Sequence, residues 1–418
     1  MSRNPMRTVL PVLAASVALA ACERSSEPAA RGPAPSLHAS ILTLDSHVDI
    51  PFEFATPEVD PRTAPLQVNL DSMRIGGLDA AFFIVYVGQG ERTDEAYADA
   101  RERALVKFAA IRRMTDELYP ELIGLAYSAD DVERLVGEGK LAAMIGIENG
   151  YVIGTDLSLL DRYYDLGARY MTLVHNGHNA IADSAQPSAE LGDPEAEHDG
   201  VSAFGEQVIA RMNDLGMMVD ISHASKATAL DAIRLSRAPV IASHSAVRAL
   251  ADHPRNLDDE TLLALRDSGG VVQIVAFDAY LKHDPEAAAQ HAALRERFGV
   301  VTAQDVVALP EPERIEFLRT VQAIQQRWPP STVSDLVDHI DYAVRLIGID
   351  HVGISSDFGG GGGVIGWTNA AETAAVTAEL EARGYSRDAI AKLWSGNLLR
   401  VWREVERAAS AGPSGGTR

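Results

Sequence analysis

Short apolar stretches alternate with longer amphipathic stretches along most of the chain. Eight apolar runs have the length of buried strands and are bounded by turn-forming residues. They cover residues 41–49, 80–87, 142–148, 170–175, 217–223, 240–245, 271–277 and 351–358. Between them, apolar residues recur at helical spacing, for example over 93–116, 202–215 and 331–346. Because strand and helix alternate, the pattern predicts a parallel sheet, and eight units predict an α/β fold of the (β/α)8 TIM-like barrel type.

One long segment does not fit this alternation. Residues 279–330 form no single strand–helix unit, so the pattern predicts a helical insertion after the seventh strand. The chain shows neither an internal repeat nor a second domain boundary, and its 418 residues suit one barrel with an insertion. We therefore expect a single barrel domain over 38–407. The residues after it, 408–418, are small and polar, which predicts a disordered tail.

The first residues form a separate pattern. Two arginines precede an apolar run over 9–21, which is short for a membrane span and indicates a signal peptide over 1–21. The run ends in LAAC, which resembles the lipobox of bacterial lipoproteins and implies lipidation of Cys22. An ordinary signal peptide with a chance cysteine is the alternative. Residues 22–37 are rich in Ser, Pro, Ala and Gly and predict a flexible tether.

The lipobox also implies a location. A lipid on Cys22 would anchor the protein in the bacterial cell envelope, facing the periplasm. Glu23 follows the cysteine where an Asp would favour retention in the inner membrane, so we expect the outer membrane.

Composition narrows the function classes. The fractions of 46% hydrophobic and 23% charged residues are those of an ordinary globular protein. A formal net charge of -22 argues against nucleic acid as a partner. Since the chain has one cysteine, an intramolecular disulfide and a thiolate metal cluster are both excluded.

Ionisable side chains mark the carboxyl ends of most predicted strands. In an α/β barrel these ends carry the catalytic groups, and burying an unpaired ionisable group there is costly. A lone histidine at such a place is usually structural, but six of the eight predicted strands end in this way. The residues are His47, Asp49, Glu148, His175, His223, His244 and Asp357. A shared metal site explains them together.

The spacing of these residues divides them into groups. His47 and Asp49 are two apart on a strand, so both side chains point to the same face and can hold one ion. His223 and His244 end consecutive strands and can hold a second ion. Glu148 comes between the two groups along the chain, and a carboxylate has two oxygens with which to bridge two metals. Nitrogen and oxygen ligands without sulfur suit zinc.

Seven segments in order resemble the membrane dipeptidase (renal dipeptidase) family of the amidohydrolase superfamily. The resemblance covers most of residues 40–405. The segments are DSHVDIP at 45–51, GIENG at 146–150, YMTLVHNGHN at 170–179, GMMVDISHAS at 216–225, PVIASHSAVRALADHPRN at 239–256, DHIDYAVRLIGIDHVGISSDF at 338–358 and GNLLRV at 396–401. The resemblance implies an α/β barrel that holds two zinc ions, and family members are often homodimers.

The resemblance also implies a role for each metal ligand. One zinc ion would be held by His47 and Asp49, the other by His223 and His244. Glu148 would bridge the two ions, and a hydroxide between them would be the nucleophile.

Three more residues take roles from the same resemblance. His175 would contact the scissile carbonyl oxygen, Arg255 would bind the terminal carboxylate of the substrate, and Asp357 would carry a proton from the nucleophile to the leaving amine. Structural alternatives are a hydrogen-bonding role for His175, a surface ion pair for Arg255 and a helix or loop cap for Asp357.

The predicted function is zinc-dependent hydrolysis of L-Xaa-L-Xaa and L-Xaa-D-Xaa dipeptides. Two segments at the expected mouth depart from the family pattern, Gly359 after Phe358 and the segment 177–181, so side-chain specificity stays open. One alternative is a lactonase or phosphotriesterase of the superfamily. Such enzymes bridge their metals with a carboxylated lysine, and the run 142–148 has none. The other alternative is a binding lipoprotein with a decayed site, although every expected ligand is present.

Overall fold

Parallel strands form one sheet in the part of the chain that the computed structural model describes, residues 36–300 and 303–411. The strands are β1 (Leu44–Asp49), β2 (Ala80–Tyr86), β3 (Ile123–Leu125), β4 (Leu141–Glu148), β5 (Ala168–Thr172), β6 (Met218–Asp220), β7 (Ile241–Ser245), β8 (Val271–Val275) and β9 (Val352–Ser355). Their order is β1-β2-β4-β5-β6-β7-β8-β9, with β3 paired to the start of β4. Cys22, the predicted signal peptide and most of the predicted tether lie outside the described residues.

The first and last strands of this order meet. Val48 forms a parallel bridge with Phe358, and the backbone N–H of Asp49 donates a 2.8 Å hydrogen bond to the carbonyl of Phe358. This contact completes a nearly closed ring of eight strands and confirms the predicted barrel. It also brings the ends of the first and last predicted strands, where candidate ligands lie, next to each other.

The strand ends differ from the prediction in two ways. The short strand β3 was missed because three residues carry no readable period. Five strands also end earlier than predicted: β2 stops at Tyr86, one residue early, and β5, β6, β8 and β9 stop at Thr172, Asp220, Val275 and Ser355. His175, His223 and Asp357 therefore lie in the loops that follow the strands and not on the strands themselves. Apolar residues continue into these loops, so the sequence pattern gave no sign of the change.

Helices follow the strands and cover the outside of the barrel. Those before the insertion are α1 (Leu70–Gly76), α2 (Asp94–Arg113), α3 (Ala129–Gly137), α4 (Ser158–Asp165), α5 (Ala203–Leu215), α6 (Lys226–Leu235) and α7 (Asp259–Asp267). Most begin at a Ser, Thr, Asn or Asp whose side chain accepts a hydrogen bond from a backbone N–H of the first turn. Ser202 caps α5 and Asp258 caps α7 in this way. Helix α2 continues into a short π-helical turn over Met114–Leu118.

The predicted insertion after the seventh barrel strand is present. It consists of α8 (Asp278–Leu281), α9 (Pro285–Phe298), α10 (Ala303–Ala308) and α11 (Glu311–Arg327). Leu294, Val300, Phe317 and Ile324 form a small apolar cluster within it that is separate from the main core. The insertion therefore packs on itself while its first helix follows β8.

The remaining helices are α12 (Val333–Ile347), α13 (Ala374–Ala382), α14 (Arg387–Ala391) and α15 (Asn397–Ser410). Helix α15 extends three residues into the segment 408–418, so the predicted disordered tail begins too early, and residues 412–418 lie outside the described part. Trp402 of α15 packs 5.8 Å from the ring of Phe82 inside the barrel. Among the described residues, we find no helix that combines the length and apolar character needed to cross the bilayer.

Alternate residues of the strands separate two apolar layers. Ala80, Phe82 and Ile84 of β2 belong to the cluster that contains Tyr170 and Trp402, whereas Ala81 and Phe83 belong to the larger cluster beneath the helices. This period of two is that of a strand buried on both faces. The inner cluster closes the amino-terminal end of the barrel, and the polar groups meet above it.

Candidate active site

The carboxylate of Glu148, at the end of β4, is the centre of a cluster of histidines. Its Oε1 lies 3.0 Å from Nε2 of His223, 3.3 Å from Nε2 of His244 and 3.6 Å from Nε2 of His175. Its Oε2 lies 3.6 Å from Nε2 of His47. The two oxygens thus face different histidines, as expected of a bridging carboxylate.

The other candidate ligands surround Glu148, although His244 lies close to both predicted pairs, since its ring centre is 3.8 Å from that of His47. On one side, Nε2 of His47 lies 3.5 Å from Oδ2 of Asp49 and 3.9 Å from Oδ1 of Asp357. On the other side, the Nε2 atoms of His223 and His244 are 3.0 Å apart. The structure therefore brings together all seven strand-end residues named from the sequence.

Hydrogen bonds behind the histidines set which ring nitrogen faces the cluster. The hydroxyl of Tyr170 donates to the carbonyl of Ser46 at 3.0 Å and accepts from Nδ1 of His47 at 2.9 Å. The hydroxyl of Ser243 donates to Oδ2 of Asp220 at 2.6 Å and accepts from Nδ1 of His244 at 2.8 Å. Both contacts leave Nε2 of each ring facing Glu148, where a neutral imidazole would present its lone pair as metal-binding histidines do.

The pKa values of the cluster follow from burial and from close charges. Burial opposes ionisation of Glu148, but the surrounding histidines outweigh it and hold its pKa well below the usual range. Burial lowers the pKa of His223 and of His244, which favours the neutral imidazole that binds a metal. Burial raises the pKa of Asp357, and the carboxylates of Asp49 and Glu148 act in the same direction.

The residues of the cluster are suited to binding divalent metal ions. Nε2 of His47 and Oδ1 of Asp49 are buried without a hydrogen-bond partner among the described residues, which is costly unless something else binds them. Three overlapping groups of possible ligand atoms share His47 or Glu148. The donors are nitrogen and oxygen atoms only, a set suited to zinc and related cations.

Two residues of the cluster have a strained backbone, and two of its carboxylates are closely packed. His223 has φ 64° and Asp357 has φ 58°, a conformation that non-glycine residues seldom adopt and that is concentrated at functional sites. A Cβ on Gly360 would lie 2.4 Å from Oδ1 of Asp357 and 2.5 Å from Oδ2 of Asp49. The glycine run 359–363 therefore packs directly against the two carboxylates.

A cavity of about 550 Å³ opens beside the cluster, a suitable volume for a small ligand. His175 lines it, with its side chain 17% exposed and its Nδ1 3.5 Å from the hydroxyl of Tyr86. Tyr280 also lines the cavity, and the guanidinium of Arg255 lies 5.3 Å from the centre of its ring.

The structure argues against the structural alternatives named for Arg255 and Asp357. Arg255 is 2% exposed, its side chain donates to the carbonyl of His244 at 3.2 Å, and its Nε has no partner among the described residues. A surface ion pair is therefore excluded. In the turn after Asp357, the N–H groups of Gly360 and Gly362 donate to its backbone carbonyl, so its carboxylate is not the cap of that turn.

Several residues that support the site were not predicted from the sequence. They are Tyr170, Ser243, Asp220 and Asn176 behind the histidines, Gln67 at the glycine run, and Lys107 in the cavity wall. Gln67 accepts a 2.8 Å hydrogen bond from the N–H of Gly359 and donates to the carbonyl of Gly362 at 3.0 Å. Tyr170 and Ser243 lie inside segments already marked as motifs, which was the available signal. For Lys107 and Gln67 the sequence held none.

A comparison with protein families gives a match to the membrane dipeptidase family, peptidase family M19, over residues 33–414. The chain belongs to the membrane dipeptidase family. It is thus a hydrolase of the metallopeptidase class, and the histidine and carboxylate cluster is a candidate for the metal site expected of that class.

Individual relatives agree with the family. Dipeptidase tcpJ of Claviceps purpurea is 30% identical over 364 residues, which are 85% of this chain and 74% of the relative. Dipeptidase 3 of Mus musculus is 31% identical over 390 residues, 91% of this chain and 68% of the relative. Among solved structures, the probable dipeptidase PvdM from Pseudomonas aeruginosa matches with a TM-score of 0.79 and 38% identity, covering 89% of this chain and 97% of that one. This member of the family is therefore similar to dipeptidases in both sequence and fold.

Proposed function

We propose that the protein is a zinc-dependent dipeptidase that cleaves dipeptides with a free C-terminal carboxylate. One observation carries the proposal: the two oxygens of Glu148 face separate histidine groups beside a cavity of about 550 Å³. His47 and Asp49 would hold one ion, and His223 and His244 the other. When bound, two divalent ions would lower the pKa of a water between them and so supply the nucleophile near neutral pH.

The other residues of the chain would bind and orient the substrate. His175 lines the cavity with its Nε2 3.6 Å from Glu148, where it can hydrogen-bond the oxygen of the scissile carbonyl. Arg255, a planar and permanently charged group beside Tyr280, suits the terminal carboxylate. These two contacts would place the peptide bond over the cluster.

Asp357 would move the proton. Its carboxylate lies 3.9 Å from Nε2 of His47 and lines the cavity, and its raised pKa suits a group that accepts a proton and then donates it to the leaving amine. The proposed mechanism uses only carboxylates and histidines around the metals and needs no carboxylated lysine. The alternative superfamily chemistry would need a carboxylated lysine as the bridge, whereas the two oxygens of Glu148 face different histidines, which supports Glu148 as the bridge.

Hydrolysis of a dipeptide panel tests the proposal. Zinc-loaded protein is expected to release amino acids from L-Xaa-L-Xaa and L-Xaa-D-Xaa dipeptides, and the better series shows the preferred C-terminal configuration. Removal of metal with a chelator should abolish release, and two equivalents of zinc per chain should restore it. Hydrolysis that survives chelation would refute the metal dependence. A zinc-loaded protein that leaves every dipeptide intact would refute the dipeptidase and direct the next panel to lactones and phosphotriesters.

The location is a second, separate part of the proposal. The LAAC sequence that ends at Cys22 supports lipidation of that cysteine and anchoring in the cell envelope, more consistent with the outer than the inner membrane because Glu23 follows. Labelling of the wild-type protein, but not of Cys22→Ser, by a radioactive fatty acid in a bacterial host would support it. Equal labelling of both would refute it.

A further inference from the structure

Lys107 is a buried cation without a charged partner of its own. It lies on α2, its side chain is 3% exposed, and it lines the same cavity as His175 and Glu148. Among the described residues, none forms an ion pair or a hydrogen bond with its ammonium group. Lysine is seldom buried in this way because loss of hydration penalises the charged form, and burial does lower the pKa of Lys107. Such a group needs a counter-charge that enters the cavity.

Two aromatic rings hold the ammonium in place. Nζ of Lys107 lies 4.9 Å from the ring centre of Phe52 and 5.6 Å from that of Tyr86. Cation–π contacts of this kind partly replace water while leaving the donors of the ammonium free. Tyr86 also contacts His175, since its hydroxyl lies 3.5 Å from Nδ1. Lys107 is therefore fixed beside the residue assigned to the scissile carbonyl.

Two of the carboxylates that act on the charge of Lys107 already have another role. Asp49 and Glu148 act on its charge through space but lie beyond ion-pair distance. Both belong to the cluster whose geometry fits divalent cations. When those cations are bound, their positive charge offsets these carboxylates. The exposed Glu53 still acts on the charge of Lys107, but it forms no ion pair with Lys107 in the described part of the chain.

Lys107 and Arg255 stand on opposite sides of the barrel mouth. Lys107 belongs to the helix after β2, and its ammonium lies over Tyr86, the last residue of β2. Arg255 belongs to the loop after β7 and contacts the carbonyl of His244. In the strand order of the sheet, β2 and β7 are four places apart in a ring of eight, which is half of the circumference. The metal cluster lies between the two cations.

We propose that Lys107 is a specificity determinant that binds an acidic side chain on the N-terminal residue of the substrate, so that the enzyme prefers dipeptides of the form Glu-Xaa or Asp-Xaa. The proposal rests on the proposed dipeptidase function. With the C-terminal carboxylate at Arg255 and the carbonyl at His175, the N-terminal residue extends towards Lys107. A carboxylate there would form a charge-assisted hydrogen bond with the free donors of the ammonium.

The test compares two substrates that differ in charge and hardly in shape, L-Glu-L-Ala and L-Gln-L-Ala. For the zinc-loaded wild-type protein we expect kcat/KM to be at least tenfold higher for L-Glu-L-Ala. Lys107→Met should reduce this ratio to about one, chiefly through a higher KM for L-Glu-L-Ala, while L-Gln-L-Ala retains its kcat/KM within about threefold. Lys107→Arg should keep part of the preference. Retained turnover of L-Gln-L-Ala shows that the variants are folded.

Lys140→Met is the matched control, because it removes the same charge from a residue outside the cavity whose ammonium donates to the carbonyl of Pro120. It should keep the wild-type ratio. Equal kcat/KM for the two dipeptides in the wild-type protein, or a preference that survives in Lys107→Met, would overturn the role of Lys107 and leave the dipeptidase intact. Failure of the wild-type protein to cleave either dipeptide, or any other, would overturn both proposals.

Discussion

The hydroxyl of Tyr170 lies 2.9 Å from Nδ1 of His47, on the side of the imidazole that faces away from Glu148. Tyr170 donates its own proton to the carbonyl of Ser46, so it accepts the Nδ1 proton of His47. This contact joins the apolar interior of the barrel to the candidate metal site, because the ring of Tyr170 packs 5.0 Å from the ring of Phe82. Tyr170, whose ring packs in the core, thus determines which ring nitrogen of the candidate ligand His47 faces Glu148.

Tyr170→Phe should weaken metal binding while keeping the core packed. The substitution removes the acceptor for Nδ1 of His47, and loss of such an outer partner typically costs about 10- to 100-fold in metal affinity. Zinc affinity is measured by competition with a chromophoric chelator. Tyr163→Phe is the control, since its hydroxyl donates to the carbonyl of Val152 away from the cluster. Equal zinc affinity of Tyr170→Phe and the wild-type protein would argue against this role.

Asp357→Asn should abolish most of the turnover without loss of metal. The amide keeps the shape of the side chain but cannot accept and return a proton, and general acid–base catalysis contributes about 10²- to 10⁴-fold. The expected result is a fall of that size in kcat, with zinc content unchanged by elemental analysis. Asp350→Asn serves as control, because Asp350 forms an exposed pair with Lys392 near the opposite end of the same strand. Turnover of Asp357→Asn within a few-fold of wild type would remove Asp357 as the proton carrier.

Gly360→Ala should lower activity, because it adds one methyl group next to two carboxylates of the site. The new Cβ would meet Oδ1 of Asp357 at 2.4 Å and Oδ2 of Asp49 at 2.5 Å, so both carboxylates must move. A displacement of about 1 Å in a catalytic group can cost on the order of 10²-fold in rate. We expect a loss of that order in kcat/KM with a circular dichroism spectrum like that of wild type. Gly137→Ala is the control, since its Cβ would meet nothing within 4 Å; matching rates for the two variants would contradict the steric argument.

His339 should make stability depend on pH. Its ring, on the buried face of α12, accepts from the N–H of Val247 at 3.1 Å and contacts the carbonyl of Leu281 at 3.1 Å. Burial lowers its pKa to about 4 from an unfolded value near 6.5. The pKa of His339 is lower in the folded than in the unfolded state, so its contribution to the free energy of unfolding is fully present above about pH 6.5. This contribution is lost as the pH falls towards 4, and the total loss is about 3 kcal/mol.

Urea unfolding in the presence of a chelator measures this effect free of metal binding. The free energy of unfolding of the wild-type protein should fall between pH 7.5 and pH 4.5. His339→Gln should be less stable at pH 7.5 and should show a shallower decline. Parallel pH profiles for the two proteins would show that other groups cause the decline.

Much of the site could be predicted because its residues follow apolar runs in chain order. His47, Glu148 and His244 end buried strands, and in a parallel barrel all such ends meet at one rim. The predicted strand ends were wrong where the hydrophobic period did not show where a strand stops. His223 and Asp357 lie in loops at positive φ, and a strand that passes into an apolar loop looks the same in sequence as one that continues.

Strand period, helix period and residue order are local properties of the chain, so they were enough to predict the barrel, the insertion and the set of candidate ligands. The groups that surround those ligands could be identified only in the folded protein. Tyr170 behind His47, Gln67 at the glycine run and Lys107 in the cavity wall are brought to the site by packing between elements distant in sequence. Because such contacts depend on the closure of the barrel, they cannot be predicted from the local order of apolar and polar residues.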